Sequence, residues 1–298
     1  MAAGDVDGGG KPEIIVGEGN RILVYPGDGS EWKVKYSFEG RATGMKVASL
    51  DTADLDKDGK DEIFVTVNNT FLNRLETYVL KWENGSLVQV ATLPWMSRAY
   101  EDESGARRIA SQQLLDDPNF PLGAIYPLEY RDGKYVQAGP PLRLSRLEWI
   151  YSFALAQEPE TKQLLHVSYS TTSRIRAQFL KKPWLSPDAY GQTSSRVRWH
   201  DKPFMFGPRL ILDRAPGKLY LYALQNVPAF GMLANAFGYY SSSRLQKLDW
   251  SGASFDPEWT VEIPAYTADI AVVRTFSSEE IYAAVVTGGK TSIWKFVP

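Results

Sequence analysis

The chain has no cysteine and only two histidines in 298 residues. Disulfides, thiolate metal sites and cysteine nucleophiles are excluded, and histidine chemistry is confined to His166 and His200. It has no apolar run near the roughly 20 residues of a membrane span, and no charged, then apolar leader opens "MAAGDVDGGG". An opening placed almost directly on a motif suggests a piece of a longer protein. Excess charge of one sign is also missing, since 33 basic and 35 acidic residues leave a net of −2 without long runs. That pattern offers neither a nucleic-acid footprint nor a polybasic membrane surface.

Helical periodicity is scarce as well. Short runs rich in Val, Ile, Tyr and Trp recur instead, among them "EIIVG", "RILVYPG", "EIFVTV" and "TYVLKW", bounded by Gly, Asp, Asn and Pro. These are strand and turn signals of an all-β chain, and 44% hydrophobic residues can fill a large core. Four segments share one design: "VYPGDGSEW", "LKWENGSLVQV", "LEYRDGKYVQA" and "LDWSGASFDPEW". Each places an aromatic (Tyr25, Trp82, Tyr130, Trp250) before a glycine-containing turn and then returns to extended chain. A period of roughly 50 residues holding three or four short strands is the signature of a β-propeller. The units fall near 3–40, 41–100, 105–147, 148–202, 203–264 and 265–298. The reading is a single β-propeller domain over 1–298 with six blades, seven being the alternative count, and with a pair of β-sandwiches as the rival architecture.

The stretch "DLDKDGKDEIFVTV" crowds carboxylates beside a hydrophobic strand. Counting Asp54 as position 1, Asp56, Asp58 and Glu62 stand at 3, 5 and 9, Gly59 at 6 and Lys60 at 7. Calcium takes six to eight hard oxygens in forgiving geometry, which alternate residues of a tight loop supply, Lys60 through its carbonyl. Such crowding is repulsive unless a cation neutralises it. An EF-hand would need a glutamate at position 12, where Val65 stands. A solvated turn without an ion is the plain alternative. One repeat upstream, "DVDGGGKPEIIVG" repeats the pattern with Asp5, Asp7, Lys11 and Glu13 but has Gly9 in place of the third aspartate, so a weaker calcium site is expected there.

Loops of the form D-x-D-x-D-G-x-x-[DE] followed by an apolar strand resemble FG-GAP (VCBS-type) repeats, the blades of integrin-α-like propellers. Asp54, Asp56, Asp58, Lys60 and Glu62 match position by position, and Asp5, Asp7, Lys11 and Glu13 match with one ligand missing. "PWLSPDAYG" and "LQKLDWSGASFDPEW" add a likeness to the C-terminal propeller of bacterial envelope proteins. This resemblance implies an exported, extracytoplasmic module, in the periplasm or outer envelope, that binds calcium and a protein partner.

Catalytic signals are thin. His166, in "QLLHVSYS", has strand alternation and reads as structural, while His200 beside Asp201 reads as a surface turn. The acidic pairs Asp102/Glu103 and Asp116/Asp117 would serve a glycosidase only if the fold set two carboxyls at working separation. "RIRAQFLKKPWL" and "SSRVRWHDK" interleave charge and aromatics, as nucleic-acid platforms do, but strand alternation gives the same text. "NVPAFGMLANAFGYYSSS" carries no charge. Its Phe230, Met232, Leu233, Phe237, Tyr239 and Tyr240 are candidates for an adhesive patch, or for a plug or buried strand. The expectation is a non-catalytic, calcium-stabilised propeller that binds or scaffolds protein. A glycan-binding or carbohydrate-active propeller is the alternative.

Overall fold

The computed structural model describes all residues except 28–31, 41–44, 70–73, 146–147, 180–182, 200–201, 232–237, 275–278 and 298. Among the described residues there are strands and no α-helix. Each sheet is an antiparallel meander in which successive strands are neighbours. The first contains β1 (Ala2–Gly4), β2 (Glu13–Glu18), β3 (Arg21–Tyr25) and β4 (Tyr36–Glu39). The second contains β5 (Met45–Ala53), β6 (Glu62–Asn69), β7 (Arg74–Glu83) and β8 (Ser86–Leu93). The third is β9 (Met96–Glu101), β10 (Arg107–Leu114), β11 (Leu122–Arg131) and β12 (Lys134–Gln137).

The fourth sheet runs β13 (Phe153–Gln157), β14 (Leu164–Tyr169), β15 (Arg174–Gln178) and β16 (Trp184–Ala189). A separate pair follows, β17 (Arg196–Trp199) and β18 (Lys202–Met205). The fifth sheet holds β19 (Leu210–Ala215), β20 (Lys218–Gly231), β21 (Tyr240–Trp250) and β22 (Phe255–Ile263). The sixth holds β23 (Tyr266–Arg274), β24 (Glu279–Thr287) and β25 (Lys290–Phe296). This is a six-blade β-propeller arrangement of small antiparallel sheets. The expected boundary at 202/203 falls inside the β17–β18 pair, which no repeat signal announces.

The chain divides into two compact units. One comprises Met1–Ala99, Arg107–Ile150 and Arg198–Lys202, the other Tyr100–Ala106, Tyr151–Val197 and Pro203–Pro298. In the first, β6 is buried on both faces, which explains why "IFVTV" has apolar residues on both faces rather than alternating apolar with charged ones. Ile63, Val65 and Val67 pack with Ile15, Ile22 and Val24 of the first blade. Phe64 points the other way, onto Val79, Ile109, Leu128 and Tyr135. β20 repeats the arrangement in the second unit: Leu219, Leu221 and Ala223 face Leu165, Val167 and Ile175, and Tyr220, Tyr222 and Leu224 face Ile270, Ile281 and Val285.

The four aromatic hairpins of the sequence all join the third and fourth strands of a blade. In two of them the turn pairs Asn84–Gly85 (φ 48° and 88°) and Asp132–Gly133 (φ 51° and 76°) are both left-handed. That is the backbone of a type I′ turn, whose twist matches the strands it joins. In the fourth blade Phe179 follows the third strand and packs edge-on against Trp250, with centroids 5.7 Å apart. The aromatic is retained there, and the sequence after it, "LKKPW", has no glycine.

His166 lies in β14, paired with Leu155 and Gln178, and its ring meets Phe153 edge-on at 6.0 Å. Burial, with the Arg176 guanidinium adding to it, lowers its pKa from 6.5 to about 4. Between those values the unfolded chain binds a proton that the folded chain refuses, so stability falls as pH drops through the window. His166→Leu is expected to remove about 2 kcal/mol of the stability lost between pH 7 and pH 5. Urea unfolding of both proteins at each pH measures this; superimposable pH profiles would exclude the assignment.

Candidate metal centre

Both acidic loops connect the first and second strands of a blade, β1 to β2 and β5 to β6. Their backbones coincide. The fourth and sixth positions are left-handed in each, Gly8 and Gly10 (φ 75° and 76°) in one, Lys57 and Gly59 (φ 62° and 88°) in the other. The internal hydrogen bonds coincide too. Gly10 N donates to Asp5 Oδ2 at 2.8 Å, as Gly59 N does to Asp54 Oδ2 at 3.0 Å. Gly9 N reaches Asp7 Oδ1 at 3.0 Å, as Asp58 N reaches Asp56 Oδ1 at 3.3 Å. Finally, Val6 N donates to Glu13 Oε2 at 2.9 Å and Leu55 N to Glu62 Oε2 at 2.8 Å. Asp5, Asp7 and Asp56 thus each have one oxygen tied to their own turn, and Asp54 has both, Oδ1 accepting from Asp58 N at 3.2 Å, as short acceptor side chains favour.

These ties gather three carboxylates per loop. Oxygens of Asp5, Asp7 and Glu13 lie within 4.8 Å of one another, and so do those of Asp54, Asp56 and Glu62. Asp58 is outside its trio, because its Oδ1 accepts from Lys60 N at 2.9 Å and its Oδ2 faces Lys81 Nζ at 2.9 Å. The extra aspartate that was expected to make the second loop richer therefore adds no carboxylate to its trio. Lys11 and Lys60 stand two residues before the first residues of β2 and β6, at the same place in the two turns.

The donor sets fit a hard divalent cation. Asp5 Oδ1 is buried without a hydrogen-bond partner, a costly state for a carboxylate oxygen unless a cation meets it. Glu62 is fully buried, and that burial, reinforced by the charge of Asp56, raises its pKa to about 7. Burial and the charge of Asp7 raise Glu13 as well. Both loops also meet a lysine: Lys35 Nζ lies 2.6 Å from Asp7 Oδ2 and 2.8 Å from Glu13 Oε1, and Lys81 Nζ contacts Asp56 Oδ2.

The two loops lean on each other. Asp61 N donates to Asp5 O at 2.7 Å, and Thr52 Oγ1 to Ala3 O at 2.8 Å. A Cβ on Gly4 would stand 2.3 Å from Asp61 Oδ2, so glycine is required at this approach. From the third blade, Tyr135 OH donates to Glu62 Oε1 at 3.0 Å. Lys35, Tyr36, Lys81 and Tyr135 escaped the sequence reading because they come from outside the loop motifs.

The other candidates separate clearly. Asp102 Oδ1 caps Ser104 N and Ala106 N, and Asp117 Oδ1 caps Asn119 N and Phe120 N, so both acidic pairs build turns. His200 and Asp201 lie outside the described residues, as do Met232, Leu233, Phe237 and the side chain of Phe230. Of the apolar segment, Tyr239 is 64% exposed, whereas Tyr240 stacks on Tyr266 with centroids 5.3 Å apart. A charge network that the sequence did not announce lies in the second unit. Arg214 pairs with Glu101 at 2.7 Å, Arg274 with Asp213 at 2.5 Å and Glu279 at 2.7 Å, and Lys247 with Glu279 at 3.2 Å. Burial raises Glu101 and Asp213 to about 6 each, against the pull of their arginines. In the first unit a cavity of about 220 Å³ is lined by Leu75, Pro94, Met96, Leu114 and Trp199, with Arg74 and two glutamines.

Residues 5–65 match the FG-GAP-like repeat family. No curated protein matches the chain. A Thermus thermophilus protein described as an oxidoreductase (glucose dehydrogenase) is similar in structure, with a TM-score of 0.53 at 10% identity, over 98% of this chain and 94% of the other. BBS1N in complex with ARL6DN, from lead-soaked crystals, gives 0.40 at 12% identity, over 96% of this chain and 74% of the other. The mercury-soaked form gives 0.46 at 7% identity, over 99% and 90%. At such identities likeness concerns fold and leaves function to the site.

Proposed function

We propose that the chain is a non-catalytic, calcium-stabilised propeller serving as a protein-binding or scaffolding module of the bacterial cell envelope, outside the cytoplasm. The observation that carries this reading is the pair of acidic loops with one shared backbone in adjacent blades. Asp54, Asp56 and Glu62 would hold one ion with help from Asp58 and the Lys60 carbonyl; Asp5, Asp7, Glu13 and the Lys11 carbonyl would hold the other. A bound calcium would supply charge neutralisation and tie each loop to the strand that follows it. The absence of catalysis is supported by carboxylates already spent as turn caps or matched to arginine and lysine. The envelope assignment is supported by the likeness to bacterial envelope propellers, and the lack of cysteine accords with it.

The test is capture of partners by the immobilised protein from a bacterial envelope extract, in calcium and in chelator. Retention of a defined partner in calcium and its loss in chelator is expected. Equal retention in both would detach the partner surface from the ion. A glycan-binding reading has one specific observation in its favour, the cavity with the Trp199 ring and Arg74 at its wall. Binding of sugars on a glycan array, abolished by Trp199→Ala, would select it.

A further inference from the structure

We infer that Lys35 and Lys81 are built-in counter-cations of the acidic loops, so that a divalent ion enters each loop by displacing an ammonium group. The inference rests on the calcium reading above and adds what sets the affinity. Lys81 Nζ bridges Asp56 Oδ2 and Asp58 Oδ2, and its side chain is only 13% exposed. Lys35 Nζ bridges Asp7 Oδ2 and Glu13 Oε1. Three of these four acids, Asp7, Glu13 and Asp56, belong to the carboxylate trios. An ammonium group held on them repels an incoming divalent ion and occupies oxygens the ion needs.

The two lysines are not copies of one repeat position. Lys81 lies on β7, one residue beyond Leu80, the partner of Ile63. The matching strand residue in the first blade is Tyr25, partner of Ile14, and Pro26 follows it with no charge to offer. The first loop draws its cation from the other side of the hairpin. Lys35 stands just before β4, held there by its N–H on Val24 O at 2.7 Å. Two adjacent blades therefore reach the same charge arrangement from different strands, which repetition of one unit does not explain. The rings of Tyr36 and Trp82, with centroids 3.7 Å apart, lie beside both lysines in sequence, and Tyr36 OH donates to Asp7 Oδ2 at 2.7 Å.

The consequence is a loop that is neutralised at low calcium by its own lysine and exchanges it as calcium rises. Calcium titration calorimetry and thermal unfolding in chelator, on the protein and on Lys81→Met and Lys35→Met, test this. Each substitution is expected to tighten one calcium site at least tenfold and to lower the melting temperature in chelator, with calcium restoring it. Adding Asp56→Asn to Lys81→Met should abolish the gained affinity. Unchanged or weaker calcium binding in both lysine variants, beside measurable binding by the unsubstituted protein, would overturn the exchange and leave the calcium reading standing. No calcium binding in any of the three would overturn both. Should Lys81→Met fail to fold, Lys81→Gln and the independent Lys35→Met carry the same comparison.

Discussion

Glu62→Ala is expected to cost on the order of 3 kcal/mol of stability even in chelator, from two charge-assisted hydrogen bonds lost at a buried site. Glu62 is fully buried, and its two oxygens accept from Leu55 N at 2.8 Å and Tyr135 OH at 3.0 Å. Removing the carboxylate strands a buried N–H and a buried phenol while deleting one of the three acids of the trio. Glu62→Gln keeps one acceptor oxygen and the side-chain volume, so it should lose roughly half as much. Both variants should lose the calcium response of this loop. Denaturant unfolding with and without calcium measures each part. If Glu62→Ala were as stable as the unsubstituted protein, Glu62 would not join the loop to Tyr135.

Calcium removal should have the next largest effect. An ion that binds the folded chain alone stabilises it by about 2.7 kcal/mol per site at a hundredfold excess over Kd. For a chain of 298 residues that corresponds to a fall in Tm of roughly 4 °C for one site on chelation. The unheated fold should persist, because the cores around Phe64 and Tyr222 contain no part of the loops' ligand sets. Scanning calorimetry in saturating calcium and in excess chelator gives the comparison, with far-ultraviolet circular dichroism as the check on the fold. Equal melting temperatures would refute a structural ion.

Much of this architecture is legible from local pattern. "EIFVTV" announced β6, the Asn-Gly and Asp-Gly pairs announced two of the hairpin turns, and the spacing of blades followed from the recurring aromatics. The carboxylate trios were legible for the same reason. Asp54, Asp56 and Glu62 sit within nine residues, and Lys57 and Gly59 bend the chain so that they must converge. The extra β17–β18 pair was not legible, since its strands carry no turn signal of the repeat. That the oxygens of Asp58 go to Lys60 N and Lys81, outside the trio, was not legible either, since spacing alone does not place a side chain against a distant strand.

The division has a physical cause. Strand, turn and loop geometry depends on backbone preferences and hydrogen bonds between residues a few positions apart, and these the sequence by itself determined. The cation over each loop and the phenol behind Glu62 come from chain 22 to 73 residues away, as Lys35 to Glu13, Lys81 to Asp56 and Tyr135 to Glu62. Their placement depends on strand register within a blade and on packing between blades, where one residue of slip turns a side chain to the opposite face. Tertiary structure alone decided that each acidic loop meets a lysine.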